Sequence, residues 1–134
     1  MTFKLINPVS LGSPRGFSNG VLTDAGGQLL FVAGQIAADE TQMIVSEDFV
    51  EQFDRALANV IAVVTEADGR PDQIARIVIY VTNKLEYLEH QRGVGERYRA
   101  RMGKHFPAMV LVEVKSLLDH KAKVEIEAVA VLSS

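Results

Sequence analysis

Residues 123–132 read KVEIEAVAVL, and this stretch decides the fold class. Side chains alternate between the two faces of a strand, so one face of this strand is wholly apolar. That face carries Val124, Ile126, Ala128, Ala130 and Leu132. The other face carries Glu125 and Glu127, followed by Val129 and Val131. In its second half the strand is apolar on both faces and so needs cover on both sides, which we expect from a helix on one side and from another subunit on the other.

A long amphipathic helix is predicted over residues 47–67, where apolar residues recur at three- and four-residue steps. Its apolar face carries Phe49, Phe53, Ala56, Leu57, Val60, Ile61 and Val64. Ser46 is the predicted N-cap, because a hydroxyl at that position accepts a hydrogen bond from a free amide of the first turn. Gly69 and Pro71 are predicted to end the element.

A strand and a second helix are predicted in the next part of the chain. Residues 74–81 are short and β-branched, which indicates a strand with Ile74, Val78 and Tyr80 on one face. The second helix is predicted over residues 85–102. Its thinner apolar face carries Leu88, Val94, Tyr98 and Met102, and it is interrupted by Gly93 and Gly95.

The first third of the chain predicts a β-hairpin. Two apolar runs, residues 20–22 and 29–33, flank the glycine-rich segment 24–27. Gly34 and Gln35 follow directly, at a point where we expect a turn or a helix to begin.

Pro107 precedes a further predicted strand at residues 109–114 and determines where the backbone enters the sheet. The predicted order is therefore ββ-α-β-α-ββ. This order is typical of an α+β domain with its helices on one face of a sheet. No internal repeat or linker divides the chain, so we expect one domain over residues 1–134.

Composition narrows the function classes. The chain has 134 residues, of which 48% are hydrophobic and 23% charged, as in a globular domain. Its net charge of -3 lacks the basic surplus of a nucleic-acid binder. With no cysteine, the chain has no disulfide, thiolate zinc site or cysteine nucleophile. Residues 1–10 lack a signal-peptide pattern and no apolar run could cross a bilayer, so we expect a soluble cytoplasmic protein.

The common catalytic and metal-binding motifs are absent from the sequence. His90, His105 and His120 show no metal-ligand spacing and are interpreted as ordinary surface or loop residues, so no metal is expected. Glu125 and Glu127 are less ordinary. A carboxylate on a sheet face is costly if it is buried alone, so each needs a partner or a chemical role.

A basic cluster is formed by Arg97, Arg99 and Arg101 together with Lys104. We interpret it as the solvated end of the second helix, because cations are favourable at a helix C-terminus. The sequence leaves open whether one of these arginines reaches the cleft of a neighbouring subunit.

Seven stretches together resemble the Rid family, also called the YjgF or RidA-like family. They are residues 6–8 (INP), 16–18 (GFS), 30–36 (LFVAGQI), 52–64, 76–81, 106–108 (FPA) and 124–130 (VEIEAVA). They occur in the family order over nearly the whole chain. The closing VEIEAVA is the most specific of them.

The resemblance implies a fold like that of the trimeric chorismate mutases, with a mixed sheet backed by two helices. It further implies a homotrimer with a small-molecule cleft at each subunit interface, each built from two neighbouring chains. Active members hydrolyse reactive enamines and imines to keto acids and ammonia without a metal or organic cofactor. An arginine holds the substrate carboxylate, and a glutamate at the position of Glu125 positions or activates water.

This sequence departs from the family pattern at the site itself. Met109 occupies the position of the substrate-binding arginine, Leu111 that of a small residue, and Phe17 that of a tyrosine. Glu125 and Gly34 are kept. The resemblance therefore implies a cleft more apolar than that of the deaminases and an altered substrate, with Arg15 as a candidate replacement cation.

Three functions remain open at this level. The first is a Rid-type imine hydrolase that depends on Glu125 and has a changed substrate. The second is a regulatory or ligand-binding trimer without turnover, for which the adaptable Met109 suits an apolar pocket. The third is the ribonuclease activity ascribed to some relatives, which the acidic balance and the lack of a basic, aromatic-rich face argue against.

Overall fold

The computed structural model describes residues 3–24 and 26–133 and contains two sheets and three α-helices within them. In chain order the elements are β1 (Lys4–Ile6), β2 (Gly20–Leu22), β3 (Gln28–Gln35), α1 (Phe49–Glu66), β4 (Ile74–Val81), α2 (Lys84–Glu89), α3 (Gln91–Met102), β5 (Ala108–Glu113) and β6 (Val124–Leu132). Short 3₁₀ turns lie at Val9–Leu11 and Pro71–Gln73. None of the helices in the described ranges is long and apolar enough to cross a membrane.

The main sheet has four strands in the order β3-β6-β4-β5. Strand β6 pairs antiparallel with β3 on one side and with β4 on the other. Strand β5 pairs parallel with β4 and forms the far edge. The sheet is therefore mixed, and the predicted α+β architecture is confirmed.

The hydrophobic core lies between this sheet and the helices. The face of β6 that was predicted to be wholly apolar is buried there, as are Phe49, Phe53, Leu57 and Val60 of α1. Val94, Tyr98 and Met102 of α3 join the same cluster. The glutamates of β6 and the two valines that follow them lie on the opposite face, which no helix covers within the described residues; we call it the open face.

Helix α1 begins two residues later than the sequence predicts. Asp48 is the N-cap, and its carboxylate accepts a hydrogen bond from the Glu51 amide at 2.9 Å. The predicted cap, Ser46, instead accepts from the Asp48 amide and so positions the true cap. A carboxylate is the stronger acceptor here, because it also interacts favourably with the positive end of the helix dipole.

The predicted hairpin is wrong. Strand β2 pairs with β1, whereas β3 pairs with β6. Strand β2 has only three residues and could form few hydrogen bonds with β3. The longer, apolar β6 pairs with β3 along most of its length. Ala25, in the predicted turn, lies outside the described residues. Strand β3 also continues through Gly34 and Gln35, where a turn or helix was expected.

Ile74 does not share a face with Val78 and Tyr80 as predicted. The pairing of β4 with β6 shifts register between Ile74 and Arg76, which moves Ile74 to the helix side. Ile74 is fully buried in the core there. A one-residue irregularity reverses the side-chain alternation, and the sequence carries no signal for it.

The predicted second helix is two helices. The chain breaks at His90, which ends α2 and precedes α3. As a result Leu88, predicted on the buried face with Val94, is exposed to solvent.

Candidate functional site

Glu125 lies on the open face of β6 against Gly34 of the neighbouring strand β3. A Cβ placed at Gly34 would lie 2.8 Å from Cδ and 3.1 Å from Cγ of Glu125, closer than packed atoms tolerate. The β3–β6 ladder is irregular between Val32 and Gln35, which lets the backbone of Gly34 take up this position. Two of the residues predicted for the site are thus brought together, and a side chain at position 34 would displace the Glu125 carboxylate that packs on this glycine.

Glu125 and Glu127 differ in their partners. The Tyr80 hydroxyl donates a hydrogen bond to the Glu127 carboxylate, and this bond raises the pKa of Tyr80. In the part of the chain that the structure describes, Glu125 makes no hydrogen bond or ion pair, although it is half-buried. Glu127 therefore has a structural partner, while the Glu125 carboxylate stays available for a ligand or water.

Met109 and Leu111 lie on the other face of the sheet, toward the helices. In the register with β4 they stand beside Ile77 and Ile79, and both are half-buried against the core. The residue between them, Val110, points to the open face. The two faces of the edge strand β5 are therefore both apolar.

Residues 15–18 run beside the start of β5. Ser18 is buried, its amide donates to the Pro107 carbonyl at 3.0 Å, and its hydroxyl donates to the Phe106 carbonyl at 2.5 Å. Gly16 has a φ of +75°, a left-handed conformation that favours glycine. These contacts hold Phe17, which is half-buried, and the exposed Arg15 beside β5.

A cavity of about 170 Å³ opens between β5 and helices α2 and α3. Its lining residues are Gly16, Phe53, Ile79, Tyr87, Gln91, Val94, Gly95, Tyr98, Arg99, Phe106 and Met109. Met109 thus borders an apolar space between the sheet and the helices of one chain, which is distinct from the intersubunit cleft that the resemblance implies. Phe17, Leu111 and Arg15 are not among the lining residues.

Four of the six predicted site residues fall into two groups, and the other two, Phe17 and Arg15, lie beside the start of β5. Glu125 and Gly34 lie on the open face at the β3–β6 pair, while Met109 and Leu111 lie on the helix face of β5. Strand β4 and the thickness of the sheet separate the two groups. One copy of the chain does not bring them together, so a site that uses both groups requires two copies.

The interpretation of the arginine cluster as a solvated helix end is wrong for two of its members. Arg101 donates to both carboxylate oxygens of Asp54 on α1, at 2.6 and 3.1 Å, and Arg97 donates to the same carboxylate at 3.0 Å. The hydrogen bond and charge of Arg101, with those of Arg97, lower the pKa of Asp54. These arginines join two helices, because residues four apart share a helix face.

The three histidines occupy ordinary positions. His105 is half-buried and its Nε2 lies 2.7 Å from the Ile74 carbonyl, while His90 Nδ1 lies 2.7 Å from the Glu86 carbonyl. His120 is exposed. Within residues 3–24 and 26–133, no three His, Asp or Glu side chains are grouped so that they could hold a metal ion.

Sequence reasoning did not assign Gln91 or Tyr87 to a site. Gln91, Gly95 and Arg99 are spaced four residues apart and line the cavity together. That spacing was the available signal, but it indicates a shared helix face without indicating what the face contacts.

Comparison with known proteins places this fold and site in a family. The profile of the family described as Endoribonuclease L-PSP matches residues 10–132. A RutC family protein from Pyrococcus abyssi is 34% identical over 105 residues, covering 78% of this chain and 79% of that protein. The 2-iminobutanoate/2-iminopropanoate deaminase of Salmonella typhimurium is 32% identical over 108 residues, covering 78% and 80%.

Solved structures agree with this assignment. A Rid family protein of unknown function from Yersinia pestis, YyfB, superposes with a TM-score of 0.86 at 28% identity, covering 98% of this chain and 100% of that one. The YjgF gene product of E. coli gives a TM-score of 0.66 at 29% identity, covering 93% and 92%. The chain belongs to the Endoribonuclease L-PSP family, which confirms the predicted Rid (YjgF-like) membership and fold.

Proposed function

We propose that this protein hydrolyses the C=N bond of reactive imines, formed directly or from enamines, to give keto compounds and ammonia. The reaction takes place in a cleft that two subunits of a homotrimer build together. The observation that carries this proposal is the Glu125 carboxylate, which is half-buried beside Gly34 and has no partner among the described residues.

The proposed role of Glu125 is that of a general base. Its carboxylate accepts a proton from water as the oxygen attacks the carbon of the protonated imine, which gives a carbinolamine. The same proton then returns to the amino nitrogen. The C–N bond breaks and ammonia leaves as the hydroxyl group loses its proton to solvent and becomes the C=O group of the ketone. Water is the only co-reactant, so the reaction balances without a metal or organic cofactor.

The homotrimer is supported by the apolar residues left uncovered on the open face. Phe31 is 73% exposed and Leu29 is 62% exposed, on a sheet whose other face is covered by the helices. Large apolar side chains grouped on one sheet face are typical of an interface. A second copy of the chain is the proposed cover, and it also brings Glu125 of one subunit toward β5 of the next.

The proposed substrate differs from that of members with a substrate-binding arginine. Met109 offers a substrate carboxylate no charge, and Phe17 and Leu111 add only apolar surface near β5. Losing a charge-assisted hydrogen bond costs about 1.5–3 kcal/mol. Such a cleft favours imines whose binding depends more on apolar contact, with any cation supplied from elsewhere in the chain. Arg15, exposed beside Gly16, is one candidate.

The similarity to the Salmonella typhimurium protein named as a 2-iminobutanoate/2-iminopropanoate deaminase supports the reaction class. The substrate of that protein is not transferred to this chain, because the resemblance implies that Met109 stands in the position of the substrate-binding arginine.

The direct test is keto-acid release from imines generated in situ by an amino-acid oxidase, with wild type compared against Glu125→Gln. Loss of a general base commonly lowers the rate by a factor of about 10² to 10⁴. Glu127→Gln is the matched control, because it removes the neighbouring carboxylate on the same face and should retain most of the activity. Equal turnover by wild type and Glu125→Gln on every imine tested would contradict the proposal.

A second variant, Met109→Arg, tests the substrate change. With 2-aminoacrylate, the enamine of the smallest keto acid, this variant should gain activity over wild type by about 10-fold or more, since it restores a charged anchor. If wild type is already as active as the variant, Met109 is no barrier to small anionic substrates.

A non-catalytic ligand-binding trimer is the second candidate function, favoured by the apolar cavity beside Met109. In that case keto acids and aromatic acids would raise the melting temperature of wild type and of Glu125→Gln equally, with no imine consumed by either.

A further inference from the structure

Helix α3 presents its arginines in two directions. Arg97 and Arg101 are four residues apart and point toward α1, where both bind Asp54. Arg99 lies between them in sequence, about 200° around the helix from each. It shares a face with Gln91 and Gly95, and this face lines the cavity next to β5.

The Arg99 guanidinium folds back over Gly95. A Cβ at Gly95 would lie 3.1 Å from Nη1 of Arg99 and 3.8 Å from its Cζ. The absence of a side chain at this position therefore leaves room for the cation next to the cavity. Arg99 itself is exposed, so the guanidinium lies on the solvent side of the cavity.

Arg99 has no anionic partner within residues 3–24 and 26–133, whereas the arginines on either side of it are both paired. Arg92, on the same helix, is paired with Glu96 at 3.6 Å. An unpaired guanidinium at a cavity is suited to bind a carboxylate, which it can hold with two parallel hydrogen bonds.

The interior of the cavity is apolar and small. Aromatic and aliphatic side chains line it, and Met109 and Phe106 form its β5 side. An apolar cavity of about 150 Å³ can hold a benzene ring. The volume of about 170 Å³ therefore fits a branched aliphatic or phenyl side chain, with Gln91 as a polar group at its edge.

We infer that this cavity binds a carboxylate with an apolar side chain, and that Arg99 holds the carboxylate while Met109 and Phe106 contact the side chain. This inference rests on the proposed function. It narrows the substrates of the proposed reaction to 2-imino acids with branched aliphatic or aromatic side chains. The anchoring cation is then Arg99 on a helix, in place of a residue on β5, and Arg15 is not required.

The test measures binding of stable keto acids by titration calorimetry, which does not depend on turnover. Wild type should bind 4-methyl-2-oxopentanoate and phenylpyruvate at least about 10-fold more tightly than pyruvate, since three extra buried carbons are worth well over a factor of ten. Arg99→Gln should weaken binding of both larger acids by about 10- to 100-fold, and Arg99→Lys should restore part of the loss.

Two matched variants serve as comparisons. Arg92→Gln removes a surface arginine from the same helix and should bind like wild type. Arg15→Gln removes the competing cation. The inference is overturned if Arg99→Gln binds as wild type does, if Arg15→Gln alone loses binding, or if pyruvate binds as tightly as the larger acids.

Failure of this inference is distinguishable from failure of the proposed function. Imine hydrolysis that depends on Glu125 but has the same KM in Arg99→Gln overturns the binding site and keeps the reaction. Keto-acid binding that depends on Arg99, in a protein that hydrolyses no imine, removes the reaction and keeps the binding site. Since Arg99 is exposed, its replacement leaves the core intact, and unchanged melting temperatures confirm this.

Discussion

The two faces of the four-stranded sheet differ in how completely one chain satisfies them. The helix-covered face is packed to the point where Phe53 is 2% exposed. The open face combines exposed Phe31 and Leu29 with an unpartnered carboxylate at Glu125, as far as the described residues extend. A single strand, β6, supplies residues to both faces.

This difference separates folding from function within the same strand. Burial of apolar side chains on the covered face explains why the chain folds, and this burial requires neither a second chain nor a ligand. The exposed apolar residues and the half-buried carboxylate on the open face contribute little to the fold of one chain. A second copy of the chain on the open face would bury the exposed apolar residues, and a substrate bound there would give the Glu125 carboxylate a partner.

The largest expected effect is on the covered face. Phe53→Ala should lower the free energy of unfolding by about 3–5 kcal/mol, because it removes a large buried side chain and enlarges the cavity that Phe53 already lines. Urea unfolding at fixed protein concentration measures this. Ala58→Gly on the less buried side of α1 is a control that should cost about 1 kcal/mol. A loss for Phe53→Ala no larger than that of the control would contradict the proposed division between the faces.

The next largest effect is on the open face. Phe31→Asp should leave the helical circular-dichroism signal unchanged and shift the proposed trimer toward monomer, because an aromatic side chain central to an interface contributes about 2 kcal/mol or more. Light scattering coupled to size-exclusion chromatography measures the mass. Thr65→Asp is a suitable control, because it adds the same charge at an exposed position of α1. If the Phe31→Asp variant remains a stable trimer, the interface lies elsewhere.

The third effect is expected at the contact between Gly34 of β3 and the Glu125 carboxylate of β6. Gly34→Ala should reduce imine turnover by about 100-fold, since the added Cβ displaces Glu125 and misplacement of a catalytic group by about 1 Å costs that much. Gly26→Ala is the matched control, because a Cβ there meets nothing within 4 Å. Equal activities of the two variants would mean that the close approach of Gly34 to Glu125 has no catalytic role.

The smallest effect concerns the helix pair on the covered side. Asp54→Asn should lower stability by about 1 kcal/mol at pH 7, or roughly 3 °C in melting temperature. Arg101 and Arg97 lower the pKa of Asp54, so its contribution is present above the ordinary carboxyl value of 3.8 and is lost as the pH falls through the lowered value. The melting temperatures of wild type and variant should therefore converge as the pH falls from neutral through the lowered pKa of Asp54. A difference that persists undiminished over the whole acid range in which the protein stays folded would refute this role of the ion pair.

Local patterns predicted the elements better than their partners. The strand at residues 74–81 has the bounds that were predicted, and the buried face of β6 was read correctly from its alternation. The predicted hairpin was wrong, because an apolar pattern indicates that a strand exists and does not indicate which strand pairs with it. The predicted face of Ile74 was wrong for a related reason, since a register shift depends on the facing strand.

The candidate site shows the same division. Glu125, Gly34 and Met109 were selected from the sequence by resemblance, and the structure adds that the Glu125 carboxylate packs directly against Gly34. Arg99 was indistinguishable from Arg97 and Arg101 in a run of alternating arginines. Only the packing of α3 against α1 separates two paired cations from one that lines a cavity.

The sequence by itself determined the element types, the inward face of β6 and the family, because each of these depends on local periodicity or on motifs that lie along the chain. Tertiary structure decided the strand order, the separation of Glu125 from Met109 and the partners of each arginine. Those features depend on contacts between residues far apart in sequence, where burial and charge pairing select one arrangement among several that the same local patterns allow.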